Sequence, residues 1–230
     1  MSVRIEIARE NLRRLLAADH AIDAADDHGF SDDGEKESAP ILDSLAAGKI
    51  LKPAAVLVLF IDHGESAQIL FTQRTAHLTD HAGQISFPGG RVEETDRDTT
   101  ATALREAAEE TGIDINLVEP LGALPDYTTG TGYRITPVVA WSEPQAYRPD
   151  PTEVEECFEV PAQFLIDPSN QRIEQAMYKG RLRSYYAIPY RNRYIWGATA
   201  GMLVSLTRVL HSAAGLAMGE PLRHALDSGG

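Results

Sequence analysis

Cysteine is nearly absent from the 230 residues: Cys157 stands alone. No intrachain disulfide and no cysteine-rich zinc site can form, which excludes a disulfide-stapled secreted scaffold and makes a reducing cytoplasm the expected setting. Basic residues are in deficit, 21 Lys and Arg against 34 Asp and Glu, for a formal charge of −13. General nucleic-acid binding needs a basic face that releases counterions, so that class is excluded too. Long apolar runs are missing. The longest, Ala54 to Ile61, has eight residues, far short of the ~20 that a membrane-spanning helix requires. A soluble chain with no membrane partner is expected. No apolar stretch opens the sequence, and Glu6, Glu10 and Asp19 interrupt its arginines, so no leader segment is expected either.

The 43% of hydrophobic residues suffices for one core of ordinary size, hence one domain with an appendage. Residues 1–50 read as a helical extension with an acidic loop, 51–215 as the main domain and 216–230 as a tail. Within the extension, Ile7, Leu12, Leu15 and Leu16 recur near helical spacing over residues 4 to 17. This stripe needs cover, from its own sheet or from a second subunit in a homodimer. From Asp19 to Glu37 eight carboxylates face Lys36 alone; no calcium-loop spacing is present, and the stretch reads as a solvated linker.

Ala54 to Ile61 reads as a buried strand closed by a turn at Asp62 to Gly64, with Gln68 to Arg74 as its hairpin partner. Thr99 to Thr111 reads as a helix, capped by Asp98 or Thr99 and ended by Gly112. Further strands are expected at Leu117 to Leu121 and Ile135 to Trp141, and a strand or short helix within Thr152 to Leu165. A closing helix is expected over Trp196 to His211, with Leu203, Leu206, Val209 and Leu210 on one side. Strands interleaved with few helices imply an α/β fold, a mixed β-sheet packed between α-helical layers.

The helix from Thr99 carries the chemistry. Positions i, i+3 and i+4 share a face, so Glu106, Glu109 and Glu110 crowd three carboxylates together. A Glu-rich helix is often only a solvated face. Here Ala103, Leu104, Ala107 and Ala108 suit close packing on a sheet, and Phe87, Pro88, Gly89 and Gly90 form a turn just upstream. Three like charges become tolerable around a hard divalent cation such as Mg2+ or Mn2+, which takes oxygen ligands and shares them with substrate phosphates. Gly89 and Gly90 let backbone come close to that ion or to a phosphate, and Arg105 can orient a neighbouring carboxylate.

Gly90 through Ile113 resembles the Nudix box, whose ending, Arg-Glu-x-x-Glu-Glu-x-Gly and an aliphatic, is complete from Arg105 to Ile113. The resemblance implies a Nudix fold, a mixed sheet sandwiched between helices. It also implies metal-dependent cleavage of a pyrophosphate by water, with Glu106 and Glu110 as principal metal ligands, Glu109 as a further ligand or water-activating carboxylate, and Arg105 orienting Glu106. One residue is extra: Asp96 stands at the first acidic position and Arg105 follows nine positions later. The insertion should spare the glutamates and gives Asp96 no assured metal role.

This longer version is similar to the coenzyme A pyrophosphatase branch, and Leu70 to Arg74 followed by Gly83 to Gly90 resembles that branch's signature. Thr75 and Thr79 depart from it, at a Ser/Ala and a second arginine. The implied substrate is coenzyme A or an acyl-CoA, cleaved to 3′,5′-ADP and a 4′-phosphopantetheine; ADP-ribose, a dinucleoside polyphosphate, or a non-catalytic nucleotide sensor stay open. Arg74, Arg91 and Arg134 flank the site, and a second run, Arg172, Lys179, Arg181, Arg183, Arg191 and Arg193, either steers the polyanion or only solubilises. Glu153 matches a loop glutamate that serves some Nudix enzymes as base or extra ligand, and also fits a solvated acidic turn. His77 and His81 lack a third zinc ligand. Cys157 reads as a small buried group, Trp141 and Trp196 as core. Tyr127, Tyr133, Tyr185 and Tyr186 either stack on adenine or pack.

Overall fold

The structure is a computed structural model that describes residues 5–17, 29–30, 36–37, 50–76, 83–178, 181–215 and 222–223. Most of the acidic stretch, the tail apart from residues 222–223, and His77, Thr79, His81 and Lys179 lie outside these residues. The chain order begins with α1 (Arg9–Ala17), followed by a two-residue ladder of β1 (Gly29–Phe30) and β2 (Lys36–Glu37). α1 buries Leu12 and Leu15 against β7 (Glu119–Ala123) and the last helix, α4 (Ala198–Ala213). Its apolar stripe therefore covers its own domain, and Arg9 and Arg13 pair with Glu119 on β7.

β3 (Lys52–Asp62) is the axis of the main sheet. It runs parallel to β9 (Tyr133–Ser142) and antiparallel to β4 (Ala67–Arg74) and β6 (Gly89–Arg91). The full order is β10 (Val154–Pro161), β4, β3, β9, β7, with β5 (Ile85–Ser86) on β4 and β8 (Tyr127–Thr128) on β9. The sheet is mixed, as expected. The β3–β4 hairpin turns at Gly64, which has φ 79° and whose N–H donates to Asp62 Oδ1 at 2.8 Å.

Strand side chains alternate between faces, and the two cores follow that rule. Ala55, Leu57, Leu59, Ile61, Leu70, Val138 and Ala140 pack under α2 (Thr99–Thr111). Val58, Phe60, Ile69, Phe71, Val139 and Trp141 face the other way, toward α1 and α4. A short α3 (Ala162–Leu165) follows β10, so the Thr152 to Leu165 segment is both strand and helix. A second sheet, β13 (Arg193–Trp196), β12 (Arg181–Tyr190), β11 (Arg172–Tyr178) and β14 (Leu222–Arg223), covers α4. α4 is consequently buried almost all round, from Thr199 to Thr207 without a break, and not along one side only. Trp141 is core, whereas Trp196 is 40% exposed because it points outward from β13 while its neighbour Ile195 points in.

Candidate functional site

α2 starts where Asp98 accepts a hydrogen bond from the Ala101 N–H at 2.8 Å, and ends at Gly112, left-handed at φ 70°. Both caps are the expected ones. Ala103 and Ala107 are fully buried on the sheet, and with methyl groups at the contact the helix lies close to β3. That closeness brings the helix flank to the strand that precedes it. A Cβ on Gly90 would fall on the Glu106 carboxylate, and one on Gly89 would collide with the β3 backbone at Ala55 and Val56. Glycine is thus required twice, by sterics, where a backbone edge meets a carboxylate.

Glu110 is 7% exposed and accepts the Gly89 N–H at 3.3 Å. Its burial pushes the carboxyl up to about 7, with repulsion from Glu153 and Glu106 adding to the rise, while the Gly89 N–H and Arg74 oppose it. Glu106 is raised for the same first reason, desolvation, against the pull of Arg105. Glu109 projects into solvent, its side chain 61% exposed. Arg105 Nη1 donates to Glu106 Oε1 at 3.0 Å and to Glu109 Oε2 at 3.2 Å. Nε and Nη2 of Arg105 grip the two oxygens of Asp96, each at 3.0 Å, and Nη2 also reaches the Arg91 carbonyl at 3.1 Å. Asp96 also accepts from Thr102 Oγ1 and the Glu93 N–H. The Arg105 guanidinium holds its carboxyl well below the usual carboxylate range, which suits an anchor for the arginine.

Across the site, Arg74 Nη1 stands 3.9 Å from Glu110 Oε1 and 3.8 Å from Glu153 Oε2. Glu153 comes from the loop after β9, which the helix end holds: Arg148 N–H donates to the Thr111 carbonyl and Asp150 N–H to the Glu110 carbonyl. These backbone bonds satisfy the carbonyls every helix leaves open at its C-terminus, and they were invisible to periodicity; the Pro149-Asp150-Pro151 turn was the available signal. Arg91 donates to the Tyr133 hydroxyl at 2.7 Å and lies over its ring. Arg134 faces away from Tyr133 and pairs with Asp126 at 3.6 Å. The structure therefore gathers Glu106, Glu109, Glu110, Glu153, Arg74, Arg105, Gly89 and Gly90, places Arg91 beside them, and pairs Arg134 elsewhere.

Tyr127 is core, sitting where a Gly201 side chain would be, and Tyr186 accepts from Arg208. Cys157 is half-buried beside Glu110 and its thiol is pushed up to about 11, chiefly by burial.

Among the described residues, no three His, Cys, Asp or Glu side chains already form a closed cation cage. The donor set nonetheless fits a hard cation. Two carboxylates, Glu110 buried and Glu106 partly so, have their proton affinity raised chiefly by desolvation, and the absent Gly90 side chain leaves the backbone edge open to Glu106.

Comparison with known proteins gives the family. The NUDIX domain family matches residues 51–178. The Escherichia coli (strain K12 / DH10B) protein named "Uncharacterized Nudix hydrolase NudL" is 35% identical over 184 residues, covering 75% of this chain and 95% of that one. Its counterpart from E. coli O139:H28 is 37% identical over 156 residues, 67% and 81% of the two chains. Among solved structures, the NUDIX domain of Shewanella oneidensis NrtR, complexed with ADP ribose, is 25% identical with a TM-score of 0.40, over 52% of this chain and 81% of that one. A C. elegans Ap4A hydrolase in a binary complex is 19% identical with a TM-score of 0.41, over 48% and 80%. The chain belongs to the Nudix hydrolases, a family that acts on small nucleotide substrates and generally uses divalent metal ions. No helix among the described residues is long and apolar enough to cross a membrane.

Proposed function

We propose that this chain cleaves the pyrophosphate bond of coenzyme A or an acyl-CoA to 3′,5′-ADP and a 4′-phosphopantetheine, in the cytoplasm, with Mg2+ or Mn2+. The observation that carries the reading is the convergence of Glu106 and Glu110 on the Gly89–Gly90 backbone, with Arg74 and Glu153 opposite. The choice of coenzyme A rests on the likeness of Leu70 to Arg74 and Gly83 to Gly90 to the signature of that branch.

Glu106 and Glu110, with Glu109 at the rim, would hold the ion, which when bound neutralises phosphate oxygens and lowers the pKa of water. Arg105 keeps Glu106 turned inward and tethers Glu109 at the rim, itself fixed by Asp96. Arg74, paired now with carboxylates, is the cation that a phosphate oxygen would take over. Gly89 and Gly90 admit the diphosphate to the backbone; Arg91 serves the outer phosphate, and Arg134 joins it on exchanging Asp126 for a substrate phosphate. Glu153 is the general base, accepting the proton of the attacking water at its exposed carboxylate, and Glu109 is the alternative base.

The test is incubation of the purified chain and Mn2+ with coenzyme A, acetyl-CoA, ADP-ribose and diadenosine tetraphosphate, with products resolved by chromatography. Release of 3′,5′-ADP from coenzyme A is expected to be fastest. Thr79, where the branch carries an arginine, favours the second reading; preferred turnover of ADP-ribose or the dinucleotide would establish it instead. Tight binding with no turnover of any of the four would identify a sensor.

A further inference from the structure

The strand pair that delivers Arg74 and Glu153 is irregular at one place. β10 and β4 stay in register from Pro161 opposite Gln68 to Glu156 opposite Gln73, then shift, so that Val154 lies opposite Arg74 and Glu155 is the extra residue. Such a bulge re-aims the side chains beside it, and here those are Arg74 and, one residue before Val154, Glu153. A bulge leaves ladder bonds unmade, so something must hold it. Arg193 of the second sheet reaches across to that place. Its Nη1 donates to Gln73 Oε1 and its Nη2 to Glu156 Oε2, both at 2.6 Å, and its guanidinium lies 4.1 Å from the Phe158 ring centroid. The side chain is only 18% exposed. The two acceptors are the cross-strand pair immediately before the shift.

We propose that Arg193 is a positioning residue: by bridging Gln73 and Glu156 it fixes the bulge, and through the bulge the places of Arg74 and Glu153 above Glu110. The proposal rests on the reading of Arg74 and Glu153 as working parts of the hydrolytic site. It assigns this arginine of the second basic run a task inside the fold instead of contact with substrate. A planar fork with two separated N–H groups is needed to span two acceptors on different strands while stacking on a ring, and lysine cannot supply it. One reporter lies between the bulge and the site: Thr75 N–H donates to the Glu153 carbonyl at 3.0 Å.

Two measurements test this on the full chain. By hydrogen exchange, the Arg193→Met variant is expected to expose the Thr75 and Val154 amides about tenfold or more, with α4 amides unchanged. Unaltered protection at Thr75 and Val154 would overturn the proposal, whatever the substrate proves to be, so this arm stands even if coenzyme A is not cleaved. With whichever diphosphate the wild type hydrolyses, Arg193→Met is expected to lower kcat about tenfold, KM staying within about twofold, as misplacement of a group predicts. Arg193→Lys should stay equally slow. Added to Glu153→Gln or Arg74→Ala, Arg193→Met should cost less than about a further twofold, because residues acting through one another are not additive. A loss that multiplies in full onto both variants, or full activity with Lys, would show a merely structural arginine and sink the idea.

Discussion

The two faces of the central sheet are built from the same strands and do opposite things. On the α1 and α4 side the side chains are large: Phe60 stacks on Trp141 with centroids 6.2 Å apart, and Phe71 on Phe87 at 5.0 Å. On the α2 side, alanines 55, 103, 107 and 140 share the interface with Leu57, Leu59 and Ile61. Bulky contacts hold elements apart and remove much apolar area from water; small ones let a helix approach its sheet. The first face is suited to stability. The second has smaller contacts, and there Glu106 and Glu110 stand beside the Gly89–Gly90 backbone, desolvated enough to raise their proton affinity despite Arg105 and Arg74 nearby. The proposed site sits where the contacts are small and close, a few residues from where they are bulky.

The largest expected effect belongs to the close face. Glu106→Gln removes a charge without changing shape, and loss of one of the proposed metal-holding carboxylates is expected to lower kcat about 1,000-fold. The thermal midpoint should hold or rise, since an amide is easier to bury than a raised carboxylate. Steady-state kinetics and calorimetry on one preparation check both halves. A variant that keeps wild-type turnover would break the comparison, because the close face would then be only another packing surface.

Phe60→Ala makes the reciprocal change on the thick face. Truncating a fully buried phenylalanine is expected to cost about 3–5 kcal/mol. Urea unfolding measures the loss, and activity per folded molecule, read at low denaturant, should match wild type. If specific activity falls with stability, the two faces are mechanically coupled and the division drawn above is too sharp.

Much of this division can be read from residue order. The short apolar run from Ala54 to Ile61 marks a buried strand, whose successive side chains must alternate between faces, and Ala103 and Ala107, before and among the glutamates, mark a helix suited to close packing on the sheet. Asp98 and Gly112 gave the helix limits. What escaped depends on distance along the chain. No local pattern places Arg148 and Asp150 on the carbonyls that end α2, or Arg193 on a strand pair 37 and 120 residues away. Nor does period-3.6 spacing on α4 reveal that a second sheet will cover its other side; sequence spacing reports which residues share a face, not how many faces find partners. Asp96 falls between these cases. The extra residue in the box marked it as different, but only the folded chain shows it gripping Arg105.

The smallest effect concerns the charge that the close face tolerates. The Glu110 carboxyl sits at about 7 in the fold against 4.5 as its ordinary value, chiefly because burial penalises its ionised form. Between those two values the native state keeps a proton that the unfolded chain has already released. Unfolding there loses a proton, so stability is greatest below about 4.5 and declines as pH rises toward 7, flattening above. The full decline is about 3 kcal/mol at most, from 1.36 kcal/mol for each unit. Glu110→Gln has no proton to lose; its stability should match wild type near pH 5 and exceed it at pH 8, as urea unfolding at both values would show. Phe60→Ala, by contrast, should cost the same at either pH, since nothing titrates in a lost ring. Added Mn2+ should restore wild type at pH 8 and leave Glu110→Gln less affected, because a bound ion would offset the desolvation of the ionised carboxylate. Equal pH profiles for wild type and Glu110→Gln would mean that Glu110 ionises as freely as a surface group, and the close face would then carry no electrostatic strain for a cation to relieve.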